Sequence, residues 1–300
     1  MTRQQLRVLI SGASVAGPTG AYWLCRQGFA VTVVERMPLA RVRTSGHAVD
    51  LFGPAIDVAE WTGVLPAVTD ARTRTNIVSF QRANGRGVDI EMRRMVAGIS
   101  GRHVEIMRGE LASILYEATR HDAQYLFGET ILTMVEEPDG IDVTFEHSPA
   151  ARFDIVIGAD GLHSNVRRLV FGPETQFRRF LGGYLAGAPL PNHRGLNGRM
   201  EVWNAPGRLA AIYPVHGTTT ARAGFLFRRS EEIDLDSRDI EGQKQLLHNI
   251  YGLDGWHVPR LLAEMDAATD FYFDSISQIV MDSWVKGRIT PVGDAGYSWP

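Results

Sequence analysis

Short apolar runs, each cut off by glycine, set the frame of this 300-residue chain. Leu6 to Ile10 carries β-branched residues and ends at Ser11-Gly12, which predicts a buried parallel strand. Ala16 to Gln27 follows as a helix, with Pro18 in its first turn and Gly28 at its C-terminus. Val31 to Val34 is a second apolar strand and ends at Glu35. Strand, helix and strand make a βαβ unit. Arg36 to Thr44 reads as an arginine-rich loop, and Pro54 to Trp61 as a helix. Asn76 to Gln81 and Gly87 to Met92 read as paired strands with a turn at Asn84-Gly85, and they interrupt the α/β pattern. Gly109 to Arg120 places Leu111, Ile114, Leu115 and Ala118 at helical spacing. Ile131 to Glu136 and Ile141 to Glu146 form a hairpin around Pro138-Asp139-Gly140, and Phe153 to Ile157 is a strand that stops at Gly158.

From Phe177 to Phe227 the pattern changes. Gly183 to Ala186, Arg199 to Trp203, Leu209 to Pro214 and Arg222 to Phe227 are strand-like, separated by Gly, Pro and Asn, as in an antiparallel sheet. Ile240 to Tyr251 and Val258 to Met265 read as helices. Phe271 to Val280 is a strand, and Arg288 to Val292 leads back to the first unit. The expected class is α/β: a Rossmann-like parallel-sheet domain with an inserted antiparallel-sheet (α+β) domain.

Composition narrows the partners. A net charge of −3 gives no basis for nucleic acid or an anionic membrane as partner. No apolar run reaches the ~18 residues of a membrane span, and Met1 to Arg7 is polar, so a cytoplasmic location is expected. Cys25 is the single cysteine, which excludes an intrachain disulfide, and beside Trp23 and Leu24 it reads as structural. His103, His121 and His248 lack ligand spacing, so no metal site is assigned.

Three glycine-rich segments carry the candidate chemistry: Gly12-Ala13-Ser14-Val15-Ala16-Gly17, Gly158-Ala159-Asp160-Gly161 and Gly293-Asp294-Ala295. Gly12, Ser14 and Gly17 occupy the glycine places of a dinucleotide fingerprint. These places serve a sharp exit from the strand, backbone approach to a pyrophosphate, and close helix–strand packing. Ser14 departs from glycine but is small, and its hydroxyl can donate to a phosphate. With Val15 and Ala16 the segment opens a helix, whose free amides and dipole favour an anion. Glu35 follows Gly17 at about the ~20-residue spacing of a carboxylate that accepts from ribose hydroxyls, which fits FAD or NAD better than NADP. Asp160 and Asp294 each sit on a tight turn. There a carboxylate accepts from a ribose or ribityl hydroxyl, or else bonds its own backbone.

Together these residues resemble the group A flavoprotein monooxygenases, the para-hydroxybenzoate hydroxylase-like family, over nearly the whole chain. Gly46-His-Ala-Val-Asp50-Leu, Met107-Arg108-Gly-Glu-Leu111, Gly255-Trp-His-Val-Pro259 and Asp270-Phe-Tyr-Phe-Asp274 are similar to its tetracycline and polyketide hydroxylase subgroup. The resemblance implies an FAD-binding domain at 1–75, 100–176 and 277–300, and a substrate-binding domain at 76–99 and 177–276. It implies that Glu35 holds the adenosine ribose and that Arg36 and Arg108 flank the adenine–pyrophosphate side. Arg43 and Asp50 would lie in a loop past the flavin, Asp160 would support the Asp-Gly loop, and Gly293-Asp294 would bond the ribityl chain.

The implied reaction consumes NAD(P)H and molecular oxygen and hydroxylates an aromatic or polyketide-like molecule through a flavin C4a-hydroperoxide. The flavin carries the hard step, so no catalytic side chain is assigned. Tyr184, Tyr213, Phe225 and Phe227 are candidates to line an aromatic substrate cavity, against the alternative of a sheet face packed as core. A flavin reductase of the same fold and a ligand-binding flavoprotein without catalysis remain open as alternatives. Family members continue beyond the position of Pro300 with a turn and a long helix. The expectation is therefore an apolar surface that a second copy or a companion chain covers.

Overall fold

The computed structural model describes residues 5–44, 46–81, 87–234, 236 and 238–298. The turn expected at Asn84-Gly85 lies outside them, as do Met1 to Gln4 and Trp299-Pro300.

Strands β1 (Arg7–Ser11), β2 (Ala30–Glu35), β7 (Gln124–Phe127), β11 (Ile155–Gly158) and β17 (Ile289–Pro291) form a parallel sheet in the order β17-β11-β1-β2-β7. Alternate residues of a strand face opposite sides, and both sides here are covered. Leu9, Val34 and Val156 pack on a small antiparallel sheet of β8 (Ile131–Glu137), β9 (Gly140–Phe145) and β10 (Ala151–Phe153). Val8, Ile10 and Val33 pack on the other side with Ala21 of α1 (Ala16–Arg26). Gly28, at φ +84°, closes α1: its amide donates to Cys25 O at 3.0 Å, and the Phe29 amide donates to Leu24 O at 3.1 Å.

A third layer packs beside the parallel sheet. The antiparallel pair β3 (Ala48–Phe52) and β6 (His103–Met107) meets α3 (Gly53–Trp61), α4 (Leu65–Asp70) and α6 (Arg108–Glu117) around Ile106, Leu111 and Val68. The arginine-rich stretch expected as loop contains a helix, α2 (Leu39–Thr44). Pro38 O opens it by accepting from the Arg41 and Val42 amides, and Val42 anchors it, 5% exposed. One apolar anchor among arginines gives no helical period. Asp50, also expected in a loop, is in β3.

The large sheet contains β4 (Ile77–Gln81), β5 (Gly87–Glu91), β12 (Arg178–Pro191), β13 (Arg199–Ala205), β14 (Arg208–Pro214), β15 (Thr220–Arg228) and β16 (Tyr272–Ile279), ordered β16-β12-β15-β14-β13-β4-β5. Its pairings are antiparallel except that of β4 with β13, where the early hairpin joins the later strands in parallel. α5 (Met92–Val96) follows β5. α8 (Ile240–Tyr251) and α9 (Val258–Ala267) cover one face. α8 is capped by Asp239, whose side chain accepts from the Gly242 amide at 2.9 Å.

That helical backing corrects the aromatic assignment. Tyr184, Phe225 and Phe227 are 4%, 0% and 1% exposed and pack with Leu247, Tyr251, Leu261 and Met265 under the two helices. The Tyr184 hydroxyl accepts from the Ile233 amide at 2.6 Å. These three rings are core, not cavity lining. Tyr213 has the opposite strand parity. On its face, cross-strand pairs align Gly187, Gly224 and Ala211 in one row, with Leu185, Leu226 and Leu209 in the next. Arg222 on this face donates to Gly46 O at 2.7 Å and to Asp270 at 2.9 Å, so the face looks toward the β3–α6 layer.

Phe225→Ala should therefore destabilise the protein by about 3–5 kcal/mol through lost burial and a cavity, read as a lower urea midpoint. Weakened ligand affinity with an unchanged midpoint would contradict its place in the core.

Candidate functional site

The three glycine loops meet where β1, β11 and β17 end. Backbone bonds stitch them together: Gly12 N donates to Val34 O at 2.7 Å, Ala159 N to Ser11 O at 2.7 Å and Val292 N to Gly158 O at 2.8 Å. Gly12, at φ +107°, lies so close to Ala159 that a Cβ would overlap its carbonyl. A Cβ on Gly17 would overlap the Gly12 carbonyl oxygen, so this glycine lets α1 seat against the end of β1. Gly293, at φ +59°, opens α10 (Asp294–Tyr297), and a Cβ there would come within 3.3 Å of Ala16 Cβ.

A cleft of about 830 Å³ runs across these loops, within the ~300–1,000 Å³ of small-molecule sites. Gly12, Ser14, Val15, Ala16, Glu35, Arg36, Arg108, Asp160, Gly293 and Asp294 all line it. Gly17 lies beneath the cradle, buried. α1 begins at the cleft with no side chain capping it, which leaves its first amides for a ligand. Glu35 spans the cradle: one carboxylate oxygen accepts from the Ala13 amide and the other from the Met37 amide, both at 2.9 Å. Each oxygen has two acceptor sites, so capacity remains for hydroxyls in the cleft.

Asp160 behaves differently. Its carboxylate accepts from Ser164 Oγ at 2.5 Å, from the Asn165 and Val166 amides at 2.9 and 3.1 Å, and from Ser11 Oγ at 3.2 Å. It ties its own turn to α7 (Asn165–Val170), whose N-cap is Ser164, accepting from the Arg167 amide at 3.0 Å. Asp294 is exposed on the cleft.

Two candidates fall away from the lining. Arg43 points from α2 to α6, donating to Glu117 at 2.6 Å, with its guanidinium 5.5 Å from the centre of the Tyr116 ring. Asp50 is exposed and bonds His103 at 2.6 Å; Val49 and Leu51, of opposite parity, face the cleft instead. Strand alternation thus turns Asp50 away. Tyr213 is outside this cleft, on the sheet face described above, and burial raises its phenol pKa.

Several lining residues had no sequence signal. Glu129, 4% exposed, follows an ordinary glycine, yet its carboxylate accepts from the amides of Thr130, Glu146, His147 and Ser148 at 2.8–3.1 Å. Burial opposes its charge, but the Ser148 hydrogen bond and the backbone amides outweigh that and hold the group at about 2. His163, just past the Asp-Gly turn, also lines the cleft. His47 sits beside Arg108, whose backbone amide donates to His47 O at 3.0 Å; burial first, then Arg108 and Arg222, lower its pKa.

Glu129 generates a pH prediction. Its pKa is lower folded than unfolded, so its contribution is present above the unfolded carboxylate value of ~4.3 and is lost as pH falls toward about 2. Glu129→Gln should cost about 1–3 kcal/mol near neutrality and flatten the stability profile between those values, checked by urea unfolding across pH.

The chain's similarity to known proteins follows this geometry. A family profile described as "FAD binding domain" matches residues 5–299. The chain is 44% identical over 293 residues to uncharacterized protein Rv1260 of Mycobacterium tuberculosis, covering 97% of this chain and 78% of that one. It is 36% identical over 294 residues to a flavin-dependent monooxygenase of Legionella longbeachae, covering 98% and 75%. The crystal structure of tetracycline destructase Tet(55) matches with a TM-score of 0.86 at 35% identity, covering 99% and 75%. The resemblance read from the three motifs therefore holds across the fold, and the chain spans roughly three quarters of these relatives' length. The chain belongs to the FAD-binding group A flavoprotein monooxygenases and is an FAD-dependent monooxygenase.

Proposed function

We propose that the chain hydroxylates a fused-ring aromatic or polyketide-like compound of the tetracycline type, consuming NAD(P)H and molecular oxygen in the cytoplasm. The observation that carries this reading is the convergence of three glycine loops on one cleft that has an uncapped helix N-terminus at one wall and carboxylates along its length. Glycines at 12 and 293 let the three loops pack closely against one another around the cleft, and the acceptors lining it suit a ligand rich in hydroxyls. FAD fits this donor and acceptor set.

The amides of residues 14–16 would hold its diphosphate, and Glu35 would accept from the adenosine ribose. Arg36 and Arg108 would balance the phosphate charge, and Asp294 would accept from the ribityl chain. Bound there, the flavin supplies the redox chemistry: two electrons from the nicotinamide allow one atom of O2 to enter the substrate while the other leaves as water. The protein's own share is to bind, orient and keep water out. With a domain division at 1–75, 100–176 and 277–300 against 76–99 and 177–276, the substrate would lie between this cleft and the Tyr213 face of the large sheet. The Leu185–Leu226–Leu209 row offers apolar contact there, and the Gly187–Gly224–Ala211 row leaves depth.

The test uses purified protein titrated with FAD. A flavin spectrum at one equivalent, NAD(P)H-dependent oxygen uptake stimulated by tetracycline, and a product heavier by one oxygen atom are expected. Glu35→Ala and Arg108→Ala should each weaken FAD binding about tenfold or more, as expected for lost hydrogen bonds to a charged group. NAD(P)H oxidation without oxygen incorporation into any aromatic or polyketide probe would sink the monooxygenase role in favour of a reductase.

A further inference from the structure

His163 stands at the seam between the cofactor loop and the large sheet. It lies two residues beyond Gly161 and lines the cleft. Its Nδ1 is 3.0 and 3.1 Å from the two carboxylate oxygens of Glu174, and its Nε2 is 3.0 Å from Asp274 of β16. Ionised carboxylates only accept, so both ring nitrogens must donate, and only the imidazolium does that. We propose that His163 is a positioning residue whose imidazolium latches the Asp160-Gly161 loop to β16, so that the cofactor cleft keeps its binding shape only while the ring is doubly protonated.

The surrounding charges support a latch. Glu174 lies in a 3-10 turn, Glu174–Gln176, between α7 and β12. It is held from behind by Arg167 at 3.1 Å and Arg178 at 3.2 Å. Arg167 is 1% exposed and also donates to Leu162 O at 2.6 Å and to Ala295 O at 2.8 Å, so the same cluster grips the Asp-Gly loop and α10. Arg178 reaches Ser275 and Ser277 of β16 and pairs with Glu232. Tyr272 is beside Asp274 on β16, Asp294 is nearby on α10, and Asp160 on the loop itself is already saturated by its own turn. Two carboxylates therefore face the ring directly, while the arginines fix one of those carboxylates rather than repel the ring at close range.

The Asp274 bond, then the Glu174 bond, raise the His163 pKa to about 9. Because the folded value exceeds the unfolded one of ~6.5, the latch is fully present below the unfolded value and is lost as pH rises through about 9. Loss of the second proton leaves a lone pair facing a carboxylate, and one of the two links opens.

The inference rests on FAD occupying the cleft, and its test separates the two ideas. FAD affinity is measured by flavin fluorescence from pH 7 to 10 for the wild type, His163→Gln and Asp274→Asn, together with thermal unfolding of each apoprotein. Wild-type affinity should fall about tenfold across that range, as expected for a lost charged hydrogen bond. His163→Gln should bind about tenfold more weakly at pH 7 and show a flat profile. Asp274→Asn should move the midpoint down. The apoprotein Tm should favour the wild type over His163→Gln below pH 9 and converge above it. An unchanged affinity and pH profile in His163→Gln overturns the latch. If the wild type binds no FAD at any pH, the cofactor placement fails instead, and the Tm profiles alone decide whether the ring joins the two elements: convergence above pH 9 supports the joint, parallel profiles reject it.

Discussion

The site depends on one constraint: backbone must meet backbone where the parallel strands end. Three interstrand bonds hold the ends of β1, β2, β11 and the segment after β17 in step, and glycines at 12 and 17 remove the side chains that would force them apart. Strands pinned at one level deliver their following loops to one place. The cleft is therefore a product of strand register before it is a product of any side chain. Charged residues such as Glu35 and Arg108 act on a shape already set by main-chain contact.

Polar groups around that shape divide into two kinds. Asp160 and Glu129 turn their oxygens back on the protein's own amides and hydroxyls and hold loops in position. Glu35 does so only in part, and Asp294 faces the open cleft. Around Glu129 the amide donors stabilise the charged form of the carboxylate. Such residues set the geometry of the loops, while Glu35 and Asp294 keep acceptor capacity toward the cleft.

Much of this was legible in the sequence. The β1–α1–β2 unit, the two later aspartate turns and helices α8 and α9 each follow from local pattern, because glycine exits and helical periodicity act over a few residues. Sheet faces were less readable. Alternation places Phe225 and Phe227 together but does not say which side the helices cover, and α8 and α9 cover theirs. Arg43 and Asp50 were assigned to a loop that is in fact a helix and a strand, whose side-chain directions depend on packing against α6 and β6. Glu129 bonds amides 17 to 19 residues away and His163 bonds Asp274, 111 residues away, and no window of sequence reveals such pairs.

The large sheet separates two jobs by parity alone. Residues one apart on β12, β14 and β15 belong either to the packed aromatic interior or to the surface opposite the cleft, never to both. A mutation that fills Gly224 or trims Leu226 changes the shape of the open side while Phe225 and Phe227 stay buried against the helices. The open side of the sheet can thus be reshaped by small local steps, with little penalty to the fold that carries it.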